Sequence, residues 1–162
     1  MTSNTIRPAV PSDFVALRAI FDSWRANSVA VNPSKHGWLV AEIHGAIAGG
    51  LLASEFNGWH QGLAGFGHLT ESDVVPFASL MCVDEPLRRR GVGSQLMTYW
   101  IESAPSWAHV IMPATSDDRA SQVAREAFFT HHGFKWMPTD YEELKPWLMM
   151  RGSSCKSTLE VS

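Results

Sequence analysis

The chain has 162 residues, enough for one domain that buries most of its apolar surface and too few for two full cores. With 45% apolar residues, 18% charged residues and seven tryptophans, the composition excludes a disordered chain and predicts a compact, aromatic-rich one. A formal net charge of −3 gives no global pull toward nucleic acid or an anionic membrane, so any anion site must be local. No stretch reaches the roughly 18 apolar residues of a membrane span, and MTSNTIRPAV lacks an apolar signal core, so a cytoplasmic protein is expected. Cys82 lies in an apolar run and Cys155 in a polar tail, an arrangement that suggests reduced thiols rather than a disulfide framework or a metal site.

In chain order, Thr5 to Ala9 predicts a short strand, and Pro11 with Ser12 as N-cap predicts the start of a helix. Phe14, Leu17, Ile20, Phe21 and Trp24 recur at three- and four-residue spacing on one face of that helix, leaving Asp13, Arg18, Asp22 and Arg25 on the others. WLVAEIH and IAGGLLASEF, apolar runs around a Gly45-Ala46 turn signal, predict an antiparallel hairpin. The four glycines of residues 57 to 70 read as a loop or broken strand. PFASLMCV, residues 76 to 83, suits a strand buried on both faces. After the arginines that follow, Gly93, Leu96, Met97, Trp100, Ile101 and Ala104 trace a helical face that Pro105 brings to an end. WAHVIMPAT reads as the next strand. Ser116 or Asp117 then caps a helix with Ala120, Val123, Ala124, Ala127 and Phe128 as its apolar face, and Gly133 ends it. Phe134 to Met137 and Pro146 to Met150 are candidate closing strands around a turn at Thr139 to Glu143, and the tail from residue 152 to 162 is polar. This order implies an α/β fold: one domain over residues 1–151, with helices on the faces of a sheet of mixed strand directions. Strand 76–83, helix 93–104 and strand 107–113 make a right-handed crossover if the two strands are parallel.

VDEPLRRRGVGSQL, residues 83 to 96, concentrates three arginines before a Gly-x-Gly and a helix. A helix begun through Gly91 and Gly93 offers several backbone N–H groups without an intrahelical acceptor, its dipole favours an anion there, and arginines at the rim add charge-assisted hydrogen bonds. A pyrophosphate has the charge and size to use both. No lysine follows Gly93, which excludes a nucleotide P-loop, and Leu96 stands where a dinucleotide fingerprint needs its third glycine. The competing readings are a solvated basic corner and an import signal; the apolar segments on both sides argue against the second.

LMCVDEPLRRRGVGSQLM resembles the acyl-CoA-binding motif of the GCN5-related N-acetyltransferase (GNAT) family, with Arg88, Arg89, Arg90, Gly91, Val92 and Gly93 at its core. AFFTHHGF, residues 127 to 134, is similar to the family's later helix and the Gly-Phe that follows it. The resemblance covers most of residues 5 to 151 and implies a single GNAT-like domain. Its sheet would be mixed and largely antiparallel with helices on both faces, around a parallel central β-α-β acyl-CoA-binding unit. It also implies acetyl-CoA as cosubstrate, no metal, and direct attack by an acceptor amine in a ternary complex. The amides of residues 89 to 94, Ser94 included, would hold the pyrophosphate, and Met81, Cys82 and Val83 would pair with the pantetheine arm.

Two positions depart from the family pattern. Phe129 stands where a tyrosine can protonate the departing thiolate, and Gln122 where an asparagine is common; both are retained as cofactor contacts. An amine acceptor, protonated at neutral pH, calls for a base, and Glu55 is the first candidate, ahead of His68, Glu71 and Asp73. His131 and His132, adjacent on a helix, point too far apart to share a metal and are expected to face solvent. Trp24 and Trp100 fall at core spacings; Trp59, Trp136 and Trp147 are core residues or walls of an acceptor pocket. Cys82 is expected as a buried structural thiol rather than a nucleophile. The acceptor stays open among a small-molecule amine, a peptide N-terminus, a lysine side chain and an aminoacyl-tRNA, with the lack of a basic surplus arguing against nucleic acid; monomer and homodimer are equally open. The alternative is an acyl-CoA-binding or regulatory module without turnover.

Overall fold

A computed structural model of the chain describes residues 4–22, 37–57, 74–106, 108–113, 119–136 and 149–152. Among the described residues, three α-helices accompany seven strands of a mixed, mostly antiparallel sheet. The chain divides into two compact units, one of residues 1–54 and 78–104, the other of residues 55–77 and 105–162.

In the first unit the strand order is β1 (Asn4–Pro8), β2 (Trp38–Ile43), β3 (Ala46–Asn57, through Ser54) and β4 (Val74–Val83, from Ala78). β1 and β3 both pair antiparallel with β2. The hairpin forms as the sequence predicts, with the turn one residue earlier: His44 (φ 52°) and Gly45 (φ 78°) are both left-handed, which matches the twist of the strands they join. Between Ala41 and Glu42 the register shifts by one residue of β3, and the carbonyl of the extra residue, Ala48, accepts from the Asp84 N–H at 2.8 Å. That bond fastens the chain just beyond β4 to the middle of the sheet.

α1 (Phe14–Asp22) buries Phe14, Leu17, Ile20 and Phe21, the predicted face, against Trp38, Val40, Leu52 and Cys82. Each large apolar side chain so buried is worth about 1.5–3 kcal/mol, which makes this cluster the main attachment of α1. Phe14 and Phe21 meet Trp38 edge-on, at 6.5 and 5.4 Å between centroids. Because strand side chains alternate, Leu39 and Ala41 are buried on the other face of β2, where α2 (Val92–Ser103) packs with Val92, Leu96, Met97 and Trp100 buried. In this unit, therefore, helices cover both faces of the sheet.

The start of α1 corrects two expectations. Ser12 does not cap it; a 3-10 turn, Pro11–Asp13, precedes it and the Asp13 carboxylate accepts from the Val10 N–H at 2.8 Å. Nor does Asp13 lie on an outer face. It is 6% exposed, because Arg7 of β1 reaches it with two bonds of 2.7 and 3.1 Å while also bonding Glu42 of β2 at 2.8 and 3.1 Å. A carboxylate tied to a guanidinium can be buried where an isolated one cannot.

In the second unit β7 (Met149–Gly152) lies between β5 (Ala108–Ile111) and β6 (Lys135–Trp136), antiparallel to both. Its core holds Val75, Phe77, Ala108, Val110, Ile111, Phe134 and Met149. α3 (Arg119–His131) departs from the predicted amphipathic face: Ala120, Val123, Ala124 and Ala127 are exposed, whereas Ser121, Gln122, Arg125, Glu126, Phe128 and Phe129 are half-buried. Alanine spacing is a weak guide to orientation because a methyl group gains little from burial; the two phenylalanines set the inward face.

Candidate functional site

The arginine turn is built by a sequence of local constraints. β4 ends at Val83, and Glu85–Leu87 form a 3-10 turn with Pro86 in its first positions, closed by Leu87 N–H to Asp84 O at 2.9 Å and Arg88 N–H to Glu85 O at 3.2 Å. Arg88 then becomes extended, and its Nε donates to the Val83 carbonyl at 3.2 Å. Arg89 adopts φ 62°, a left-handed conformation that costs a residue with a Cβ about 1–2 kcal/mol. Gly91, at φ 81° and ψ 0°, is the N-cap of α2, and among the described residues nothing lies within 4 Å of where its Cβ would be. The first intrahelical bond of α2 is Gln95 N–H to Gly91 O at 2.9 Å, so the amides of Val92 and Gly93 have no acceptor within the helix. Arg89, Arg90 and Gly91 are exposed and Val92 is buried, which anchors the turn by one side chain while its backbone faces open space. Such a turn suits a phosphate-sized anion.

The predicted site residues from Met81 to Ser94 thus come together in the first unit on one strand, one turn and one helix. Cys82 is 4% exposed within the α1 cluster, its Sγ 3.8 Å from the Ile20 carbonyl, and burial pushes its thiol up to about 12. It is the buried structural thiol that the sequence suggests.

Gln122, Phe129 and Glu55 belong to the second unit. Gln122 Nε2 donates to Glu126 at 3.2 Å, while its Oε1 is buried with no hydrogen-bond partner among the described residues, an arrangement that costs roughly 1–3 kcal/mol unless something donates to it. Phe129 packs edge-on against Phe128 (5.2 Å) and Phe134 (6.4 Å) and offers no proton. Glu55 is exposed on β3. His132 is not solvent-facing: it is half-buried, its ring 4.8 Å from Phe128, and burial, with the charges of His131 and Arg151, lowers its pKa. His131 is exposed as expected. Trp100 is core and Trp136 half-buried; Gly152, taken as the first residue of the tail, ends β7, while Trp24, Trp59, Trp147, His68, Glu71, Asp73 and residues 153–162 lie outside the described residues.

Sequence reasoning missed the Arg7–Asp13–Glu42 network, which a strand arginine six residues before a helix-start aspartate hints at. It also missed His109, 2% exposed on β5, where all four residues are buried and alternation gives no signal. Among the described residues no group of three His, Cys, Asp or Glu side chains could hold a metal, and no helix is long and apolar enough to cross a membrane.

The arrangement is an α/β protein of mixed sheet with an anion-suited glycine turn between a strand and a helix; the strand, β4, is buried at Val75, Phe77, Ala78 and Cys82 rather than on both faces throughout as the sequence suggested. The family model described as an acetyltransferase (GNAT) domain matches residues 33–136, more than half of the chain, and the chain belongs to that family of acetyl-CoA-dependent N-acetyltransferases. No curated protein matches it in sequence. Similar solved structures include Ard1 from Thermoplasma volcanium, 20% identical with a TM-score of 0.63 over 91% of this chain and 96% of that one. A GNAT-family acetyltransferase from Bacillus cereus is 16% identical, with a TM-score of 0.63 over 93% of this chain and 98% of its own. Arabidopsis thaliana Naa50, solved with the bisubstrate analogue CoA-Ac-MVNAL, is 11% identical, with a TM-score of 0.61 over 93% and 99%. At these identities the likeness is one of fold.

Proposed function

We propose that the protein transfers an acetyl group from acetyl-CoA to a small-molecule or peptide amine, and that the amides and arginines of residues 88–94 receive the pyrophosphate of the cosubstrate. The observation that carries this reading is the Gly91 N-cap: a left-handed glycine with open space before it, at the start of a helix whose first amides have no helical acceptor. Acetyl-CoA supplies the activated acyl group. The chain supplies a fixed anion seat, a strand end at Met81–Val83 for extended pairing, and positioning of the two reactants, which is the larger part of the acceleration available to such a transfer. With Phe129 in place of a hydroxyl, the departing thiolate, with a reference pKa near 8.5, takes its proton from water or a neighbouring donor. Glu55 is the proposed base, and its exposed position on β3 leaves it open to an incoming amine.

The first test is thermal unfolding with and without acetyl-CoA, on the parent and on Gly93→Glu, which puts a carboxylate in the anion seat. Ligand at 100 times its dissociation constant stabilises by about 2.7 kcal/mol, a rise of several degrees, in the parent alone. A folded parent that shows no shift refutes the reading. Free-thiol release with a panel of amines then separates transfer from the second reading, a module that binds acyl-CoA without turnover, which Phe129 favours. An unchanged pH–rate profile in Glu55→Gln would remove Glu55 as base.

A further inference from the structure

α2 has a second polar face, turned away from Leu96, Met97 and Trp100. Ser94, Thr98, Tyr99 and Glu102 recur there at three- and four-residue spacing, and β1 lies opposite with Asn4 and Ile6. Ile6 pairs with Ala41, so its side chain takes the same sheet face as α2, whereas Arg7, one residue on, turns to the α1 face. Between them is an open cleft of about 350 Å³, and an Asn4 Nδ2 to Gln95 Oε1 bond of 3.1 Å crosses it. The volume is at the lower end of the range for small-molecule sites. Among the described residues that line it, the only charge is the Glu102 carboxylate. Among the described residues Glu102 makes no ion pair, and neither the Thr98 nor the Tyr99 hydroxyl has a hydrogen-bond partner. Tyr99 is half-buried, so part of its ring is held as a wall.

A carboxylate, an aromatic ring and hydroxyl acceptors on one side of a cleft, with Ile6 opposite, form a set that selects for a compact organic cation. The carboxylate attracts the charge, the phenol face stabilises it, the hydroxyls accept its N–H groups, and Ile6 covers a short alkyl body. An anion would meet Glu102 unopposed, and a neutral hydrocarbon would strip water from unpaired polar groups. We infer that the cleft between β1 and α2 binds a small alkylammonium ligand, with Glu102 as counter-ion and Tyr99 as cation-facing wall. The inference does not depend on acetyl transfer: the proposed counter-ion and wall, Glu102 and Tyr99, lie outside residues 88–94, and only Ser94 is common to the cleft and the anion seat.

Isothermal titration of the full chain with n-butylamine, 1,4-diaminobutane and choline, against n-butanol and butyrate as uncharged and anionic controls, tests it directly. The expected result is binding of at least one ammonium probe with a dissociation constant of about a millimolar or tighter, and none of the controls. Glu102→Gln should weaken that binding at least fivefold, and Thr98→Arg, which places a guanidinium from an exposed helix position into the cleft, should abolish it, both proteins retaining the parent's circular dichroism. Binding should persist at saturating coenzyme A. Three results would each overturn the inference: no ammonium probe binding, equal binding in Glu102→Gln, or displacement by coenzyme A, which would make the cleft part of the cosubstrate's seat. An acetyl-accepting amine bound elsewhere would be recognised by its indifference to Glu102→Gln, so failure here and failure of the transferase reading are told apart.

Discussion

Replacing Asp13 by Asn tests how α1 is held to the sheet. The carboxylate accepts two bonds from Arg7, at 2.7 and 3.1 Å, and one from the Val10 N–H at 2.8 Å, with its side chain 7% exposed. The amide keeps one oxygen but turns an NH₂ toward a guanidinium that can only donate. A charge-assisted bond is worth about 1.5–3 kcal/mol. Arg7 retains Glu42 and is 30% exposed, so the loss falls below that of a fully buried pair, and about 2–3 kcal/mol is expected. For a chain of this length that lowers Tm by roughly 5–10 °C. Glu42→Gln, at a side chain 31% exposed, should cost below about 1 kcal/mol. The Arg7 guanidinium holds the Asp13 carboxyl below the usual carboxylate range. A depressed native pKa gives stability that is fully present above the unfolded-state value, near 4, and is lost as pH falls through the native one. Urea melts at pH 7 and at pH 3 and below should therefore show the gap between parent and Asp13→Asn narrowing in acid. An Asp13→Asn protein no less stable than Glu42→Gln at pH 7 would refute the reasoning.

Arg89→Gly should be at least as stable as Arg89→Ala in thermal melts, because the left-handed backbone at this position strains any residue with a Cβ, and should bind acetyl-CoA several-fold more weakly with a shallower salt dependence. A Cβ at Gly49 would lie 2.6 Å from the Cys82 carbonyl oxygen and 3.2 Å from Val83 Cα, both backbone, so Gly49→Ala should cost about 1–3 kcal/mol by chemical denaturation. With its thiol pushed up to about 12, Cys82 in a Cys155→Ser background should resist a disulfide reagent at pH 8 until the protein is unfolded; rapid labelling of the native state would contradict the packing of α1.

The elements most legible in the sequence were those whose periodicity is carried by large side chains. Phe14, Leu17, Ile20 and Phe21 gave the inner face of α1, and Leu96, Met97 and Trp100 that of α2, because each gains enough from burial to decide orientation alone. Where alanines carried the pattern, in α3, the reading pointed the wrong way. The arginine turn was legible because glycine and proline fix backbone conformation locally, whatever surrounds them. Asp13 was not, since a carboxylate is buried only if a cation meets it, and although Arg7 stands only six residues away, nothing in the spacing shows that the chain folds back to bring the two together or that β1–β2 pairing adds Glu42 to the same guanidinium. The cleft beside α2 was invisible for the same reason: Asn4 and Gln95 are neighbours only in three dimensions.

The bond from Arg88 Nε to the Val83 carbonyl divides the arginine triplet into unequal members. Arg88 is moored to the last residue of β4, so much of its rotamer freedom is already spent before any ligand arrives; Arg89 and Arg90 are exposed and must still be ordered. A polyanion meeting the turn would find one charge preorganised and two that close around it, and the ordering entropy of association would come mainly from the latter pair. Trimming Arg89 or Arg90 should therefore show chiefly in the rate of capture, where long-range attraction acts, and disturbing Arg88 chiefly in the rate of escape.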